Sequence, residues 1–169
     1  MSTVRPARPD DLPALAAVER AAAQRFAGLG LVADLDDAMD PATLAAACAG
    51  GRVWVAVDDD GRPLGFAVAE RLGDAGHLEE LDVLPDAGGR GLGTELLEAV
   101  CAWAAAQGLP AVTLCTFRDV AWNAPFYARR GFVALADAEL SPALRARRDA
   151  EAARGLAPAA RVCMRRRLG

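Results

Sequence analysis

Two segments of this sequence hold residue types and spacings that can do chemistry. The first is Leu81-Asp82-Val83-Leu84-Pro85-Asp86-Ala87-Gly88-Gly89-Arg90-Gly91-Leu92-Gly93-Thr94, where a strand ends at a proline, glycines follow and an amphipathic helix begins. Glycine lets a backbone approach a ligand closely because no β-carbon intervenes. The first amides of a helix have no internal acceptor, and with the helix dipole they suit an anion such as a pyrophosphate. Arg90 can add a charge-assisted contact. A plain strand-to-helix turn with sterically convenient glycines is the alternative. The dinucleotide fingerprint G-x-G-x-x-G is not met, because Leu96 stands where its last glycine belongs. The second segment holds His77, the single histidine. A reference pKa of about 6.5 suits a base at neutral pH. Glu79 lies two residues on, hence on the same strand face, so the pair can pass a proton, directly or through water. By the same alternation Glu80 and Asp82 are expected on the other face. The alternative for His77 is a half-exposed residue that merely starts a strand.

These residues need elements to position them. Residues 3–5 read as a short strand. Pro9-Asp10-Asp11-Leu12-Pro13 opens a helix whose apolar positions Leu12, Leu15, Ala16, Val18 and Ala22 follow helical spacing, through about Phe26. An irregular linker runs over 28–40, and Pro41 starts a second helix that Gly50-Gly51 ends. Strands over 52–57, 64–70 and 77–84 form a meander through turns at 58–61 and 73–76. The glycine loop leads into a helix ending near Gln107-Gly108, with Leu92, Leu96, Val100 and Trp103 on its buried face. Residues 111–117 are almost wholly apolar and read as a central strand. A short helix over 124–130 stops at Gly131, and a strand over 132–135 follows. Ser141-Pro142 opens a helix over 143–154, and 159–165 is the closing strand. This order predicts a mixed α/β sheet with helices on both faces.

The 169 residues fit one domain over 1–169, and 53% hydrophobic with 25% charged residues supports a buried core. The chain has no lysine, which excludes a lysine-containing phosphate loop and Schiff-base chemistry. One histidine excludes a multi-histidine metal site, and no metal is expected. The net charge of −4 gives no overall basic footprint for nucleic acid, and Arg165-Arg166-Arg167 reads as a solvated tail. Cys48, Cys101, Cys115 and Cys163 show no Cys-x-x-Cys spacing and lie in apolar stretches, as expected of buried free thiols in a reducing compartment. No apolar leader opens the chain. The charge-free stretch from Ala99 to Phe117 is broken by Gln107-Gly108-Leu109-Pro110, so a helix, a turn and a strand explain it better than a bilayer span. A cytoplasmic protein is expected.

Gly88-Gly89-Arg90-Gly91-Leu92-Gly93 resembles the Q/R-x-x-G-x-G/A signature of the GNAT superfamily of acyl-CoA-dependent N-acetyltransferases, with Gly88 in place of the first Gln or Arg. Tyr127-Ala128-Arg129-Arg130-Gly131-Phe132 looks like the family's Y-x-x-x-G-F ending, and the element order is similar over nearly the whole chain. The resemblance implies a mostly antiparallel central sheet of about six or seven strands flanked by helices on both faces. It implies acetyl-CoA as co-substrate and direct transfer to a primary amine in a ternary complex. A non-catalytic acyl-CoA-binding sensor or partner-binding module on the same fold is the alternative.

The resemblance also assigns roles. Leu81, Asp82 and Val83 would offer backbone groups to the pantetheine arm and thioester. Gly88, Gly89, Arg90, Gly91, Leu92, Gly93 and Thr94 would hold the pyrophosphate. Asn123 would contact the cofactor or cap the short helix. His77 or Glu79 would be the base. Tyr127, the single tyrosine, would protonate the coenzyme A thiolate, a phenol being a weak acid of pKa about 10; the alternative is a core aromatic beside Phe126 and Phe132. The linker with Asp34, Asp36 and Asp37 would line the acceptor pocket, where a small cationic amine or a peptide amine with an apolar part fits. The 143–154 helix would cover the site or build a homodimer surface.

Overall fold

The computed structural model describes residues 1–169. The strands are β1 (Ser2–Pro6), β2 (Val53–Asp58), β3 (Pro63–Leu72), β4 (Ala75–Val83), β5 (Ala111–Phe117), β6 (Val133–Ala134) and β7 (Arg161–Arg167). The helices are α1 (Leu12–Ala23), α2 (Pro41–Ala49), α3 (Leu92–Ala106), α4 (Ala124–Ala128) and α5 (Pro142–Ala153). Local chemistry sets the helix starts. Asp40 accepts from the Thr43 amide at 3.0 Å and Ser141 Oγ from the Leu144 amide at 3.1 Å, each followed by a first-turn proline.

The seven strands form one sheet in the order β1-β2-β3-β4-β5-β7-β6. Alternation on β2 and β3 gives the sheet two apolar faces. Val53, Val55, Val57, Phe66 and Val68 pack beneath α1 and α2 through Leu15, Val18, Leu44 and Ala47. Trp54, Ala56, Ala67 and Ala69 meet α3 through Leu92, Leu96, Leu97, Val100 and Ala104. Each such large side chain, Phe66 or Leu96 for example, contributes about 1.5–3 kcal/mol by burial.

Every strand pair is antiparallel except β4 with β5, which are paired only at Gly76–Val112 and His77–Thr113. Gly76 is needed there: a β-carbon would stand 3.0 Å from that of Ala104 and 3.3 Å from the Trp103 ring on α3. Beyond His77 the two strands part.

The β3–β4 ladder corrects the expected facing of the acids. Ala69 opposes Leu78 and Val68 opposes Glu80, so Glu79 is the extra residue of a β-bulge. The bulge turns Glu79 and Glu80 to one face. Leu78, Leu81 and Val83 join the α3-side core, while Glu70, Glu79, Glu80 and Asp82 meet groups of α1 and α5 on the opposite face. Glu80 and Asp82 therefore share the face of Glu79.

The arginine run is not a tail. Arg165, Arg166 and Arg167 lie in β7 opposite Thr113, Val112 and Ala111, and Arg166 pairs with Glu98 of α3 at 2.7 Å. No helix is long and apolar enough to cross a membrane.

Candidate active site

The parting of β4 and β5 opens a cleft of about 1190 Å³. The start of α3 and α4 wall one end, and the 27–40 linker with α5 walls the other.

At the first end Gly89 and Gly91 hold positive φ angles of 76° and 80°, a left-handed backbone that a β-carbon would strain, and Gly91 is the N-cap of α3. The amides of Gly89, Arg90 and Gly91 have no backbone acceptor, and those of Leu92, Gly93 and Thr94 are the unpaired first-turn amides of the helix. Gly93 is small for packing as well, since a β-carbon there would meet the Phe126 ring at 3.4 Å. Gly88, Gly89, Gly91, Leu92, Gly93 and Thr94 line the cleft. Arg90 is exposed and does not. The cation at this end is Arg130, which the sequence reading missed. Its Nε donates to Thr94 Oγ1 at 2.8 Å and its Nη1 to the Phe126 carbonyl at 2.8 Å, with the guanidinium 3.7 Å from the Phe126 ring centre. Its place beside the helix-ending Gly131 is the signal that was available.

Midway along the cleft Leu81, Asp82 and Val83 line the β4 side. Asp82 and Glu80 form a carboxyl group with Glu19 of α1: one oxygen of each lies within 4.8 Å of the others. Burial pushes Glu80 well above the usual carboxylate range and Asp82 up to about 7. After burial, the neighbouring Asp82 charge raises Glu80 further. Asp82 Oδ2 is buried with no hydrogen-bond partner in the protein. Burial also raises Glu19, although its carboxylate accepts from the Met39 amide at 2.9 Å. Acids on a central strand are rarely buried without a purpose, and the run Glu79-Glu80-Leu81-Asp82 carried that signal.

Tyr127 faces this group from α4, only 8% exposed and packed edge-on between Phe126 and Phe132. Burial, and then the charges of Asp82 and Glu80, push its phenol up, so it is protonated at neutral pH. Asn123 lines the cleft too, but its side chain does not cap α4. Its Oδ1 accepts from Thr116 Oγ1 at 2.7 Å and from the Phe117 amide at 3.3 Å, fixing the end of β5 against α4.

The structure does not bring His77 to the cleft. It is 1% exposed, with Nδ1 2.9 Å from Thr113 Oγ1, at the one place where β4 and β5 are joined. Burial lowers its pKa to about 3, helped by Arg147 and Arg161, so the ring is neutral. Glu79 reaches the cleft but is held by Arg147 at 3.1 Å, and the same guanidinium also holds Glu70. The two residues expected to form a relay thus stand as a buried histidine outside the cleft and a cleft-lining carboxylate paired with Arg147.

At the far end Asp34 and Asp37 line the cleft and Asp36 does not; the Asp36 amide donates to Asp34 Oδ1 at 2.9 Å. Asp37 pairs with Arg154 at 2.8 Å. Phe26 stacks at tilted angles on Phe117 and Trp122, with ring centres 5.3 and 5.6 Å apart, and Arg25 lies 4.3 Å over Trp122. Arg147, Ala150, Glu151 and Arg154 of α5 and its C-cap line the same space, so α5 forms a wall of the cleft.

The fold recurs in solved structures. N-acetylglutamate synthase from Neisseria gonorrhoeae, complexed with coenzyme A and N-acetyl-glutamate, matches with a TM-score of 0.75 and 22% identity over 100% of this chain and 35% of that one. The chain thus spans about a third of that protein. A GNAT acetyltransferase from Staphylococcus aureus Mu50 matches with a TM-score of 0.76 and 16% identity over 100% of both chains. The ribosomal-protein-S18-alanine N-acetyltransferase from Escherichia coli matches with a TM-score of 0.66 and 19% identity over 100% of this chain and 95% of that one. The model of the acetyltransferase (GNAT) family matches residues 15–132, most of the chain and all of the cleft's glycine loop, β4 and Tyr127. With its unpaired glycine-loop amides, parted strands and Tyr127-to-Phe132 ending, this chain belongs to the acetyltransferase (GNAT) family.

Proposed function

We propose that the protein transfers an acetyl group from acetyl-CoA to a small cationic primary amine by direct attack within a ternary complex. The observation that carries this reading is the unpartnered Asp82 carboxylate oxygen in the gap between β4 and β5, in one cleft with the glycine-loop amides. The pyrophosphate would lie on the amides of residues 89–94 with Arg130 as counter-charge. The thioester arm would follow Leu81, Asp82 and Val83 between the strands, with Asn123 across the gap.

An ammonium is attracted to the Glu19–Glu80–Asp82 group. Asp82, with a pKa near the working pH, takes its proton. The freed nitrogen attacks the thioester carbonyl and a carbon–nitrogen bond forms. The carbon–sulfur bond then breaks, the thiolate takes the Tyr127 proton, and the second proton shed by the attacking nitrogen restores the Tyr127 phenol. Phe26, Phe117 and Trp122 would receive the apolar part of the amine. The structural relatives, one an N-acetylglutamate synthase holding coenzyme A and N-acetyl-glutamate and another a ribosomal-protein-S18-alanine N-acetyltransferase, support amine acylation as the chemistry.

The test is calorimetric titration with acetyl-CoA followed by thiol release over a panel of amines. Saturable binding with release only when a cationic amine is present is expected. Binding with no release from any amine would leave an acyl-CoA sensor instead, and no binding would remove the assigned role of the glycine loop.

A further inference from the structure

Two nucleophilic side chains that the transfer chemistry does not use are in contact. Cys115 on β5 and Cys163 on β7 stand directly opposite each other in the antiparallel register, and their sulfurs are 2.8 Å apart. The Cys163 carbonyl faces β6, where it accepts from the Leu135 amide at 2.9 Å, and the Cys115 carbonyl accepts from Arg161 Nη2 at 3.1 Å. The N–H and C=O of one strand residue point the same way, so the backbones of Cys115 and Cys163 do not bond to each other. In an antiparallel ladder this is the non-hydrogen-bonded kind of pair, in which Cα atoms stand about 4.5 Å apart and side chains come closest. That spacing lies within the roughly 4.4–6.8 Å that a disulfide spans.

The other two cysteines are placed elsewhere. Cys101 is on α3, in the core of the opposite sheet face, and Cys48 lies on α2 with its Sγ 3.6 Å from the Ala7 carbonyl. Within the pair the two sulfurs differ. Cys163 is buried against Leu140 and Leu144, whereas Cys115 is half-buried and lines the cleft beside Thr116 and Arg161. The contact between the sulfurs lowers the Cys163 thiol below its ordinary value, against the effect of burial, and raises that of Cys115. A small reagent in the cleft therefore meets Cys115 first, with a readily ionised thiol directly behind it.

We infer that Cys115 and Cys163 form a redox modification site, which a peroxide entering through the cleft converts reversibly into a disulfide stapling β5 to β7. The Cys115 sulfur gives its proton to water and attacks one peroxide oxygen. The oxygen–oxygen bond breaks, hydroxide takes a proton and leaves as water, and a sulfenic acid remains on Cys115. The Cys163 thiolate attacks that sulfur, the sulfur–sulfur bond forms, and the hydroxide that departs takes up the proton shed by Cys163. Two thiols have lost two electrons and two protons, and one hydrogen peroxide has become two waters. A thiol reductant reverses the change by exchange. The strands are already paired in register, so the bond forms without a shift of either one. It closes a loop of 48 residues that holds α4, β6 and α5, and so restricts the unfolded chain far more than the folded one. The site stands independently of the acyl-transfer reading.

The experiment treats the reduced full-length chain with hydrogen peroxide and reads intact mass, free thiols in denaturant, a peptide map and the melting temperature. The four free thiols should fall to two, with loss of two hydrogens and a linked Cys115–Cys163 peptide. Tm should rise by about 5–15 °C, and dithiothreitol should restore the starting state. Cys163→Ser should stop at a Cys115 sulfenic acid that dimedone traps, with no rise in Tm on oxidation, and Cys48→Ser should form the staple as the parent does. A linked peptide containing Cys48 or Cys101, a disulfide between two molecules, or four thiols surviving excess peroxide would each overturn the inference. So would an oxidised chain that melts no higher than the reduced one. The peptide map and the melting shift are read in the parent chain, so they decide the matter even where a serine variant folds poorly.

Discussion

Two ends of β4 put titratable side chains on the same face of the sheet five residues apart, and the structure makes opposite use of them. At His77 the strand is joined to β5, the ring has a partner in Thr113, and nothing reaches it from the cleft. At Asp82 β5 has turned away, one carboxylate oxygen has no partner, and the cleft begins. Burial drives both toward the neutral form, the histidine by losing its proton and the carboxyl by keeping one. Desolvation alone therefore does not mark a functional group. What separates the two is their place along β4: Asp82 lines the cleft where β5 has parted, and His77 does not.

The sharpest way to break this comparison is to exchange the two roles by mutation. Asp82→Asn keeps the shape and removes the ability to take a proton. Loss of a general base costs roughly 10²–10⁴-fold, so kcat/KM should fall by that factor while acetyl-CoA affinity stays within about twofold. His77→Ala should do the reverse. It leaves a cavity and a Thr113 hydroxyl whose remaining partner is the Gly76 carbonyl at 3.4 Å, which together cost about 2–4 kcal/mol of stability. Its kcat/KM at a temperature where it is folded should stay within about threefold of the parent. A His77 variant that is fully folded and inactive would mean that the histidine reaches the chemistry after all.

A smaller effect sharpens the acid side. Tyr127→Phe keeps the packing against Phe126 and Phe132 and removes the one proton positioned across from Asp82. We expect kcat to fall about 10–100-fold with both KM values little changed, because a missing general acid is felt only as the thiolate leaves. An unchanged kcat would return Tyr127 to a packing role and leave water as the donor.

How much of this was legible in the sequence follows the same division. The glycine loop, the Tyr127 ending and the element order could be read because each rests on local rules: close backbone approach, helix starts and stops, strand alternation. The facing of Glu80 and Asp82 could not, because one unpaired residue at Glu79 resets the alternation and only the β3–β4 register reveals it. The burial of His77 is illegible for a related reason. A pKa suited to catalysis in water is a poor guide once a residue is buried where two parallel strands pair. Charge alone makes Arg165 to Arg167 look like a solvated run, whereas their partners, β5 and Glu98, hold them in the sheet. Proximity in sequence to the glycines favours Arg90, whereas proximity in space favours Arg130.

The subtlest separation of the two ends is in how stability depends on pH, and here the signs are opposite. The folded-state pKa of His77 lies near 3, below its unfolded value of about 6.5. Between these values the unfolded chain binds a proton that the folded chain refuses, so this contribution is whole above about 6.5 and is lost as pH falls toward 3. The folded-state pKa of Asp82 lies near 7, above its unfolded value of about 3.9. There the folded chain holds the extra proton, so its contribution is whole below about 3.9 and is lost as pH rises through 7. Each group tilts the stability curve by at most about 1.4 kcal/mol per pH unit within its window. Melting measured from pH 4 to 8 should then show Asp82→Asn gaining on the parent as pH rises, and His77→Gln losing less than the parent as pH falls. The carboxyl that the chemistry needs is thus a cost to the fold at neutral pH, whereas the buried histidine is a cost only in acid. If both variants instead shifted the curve by the same amount at every pH, neither group would titrate between folded and unfolded chains. The contrast between the two ends of β4 would then be one of packing alone.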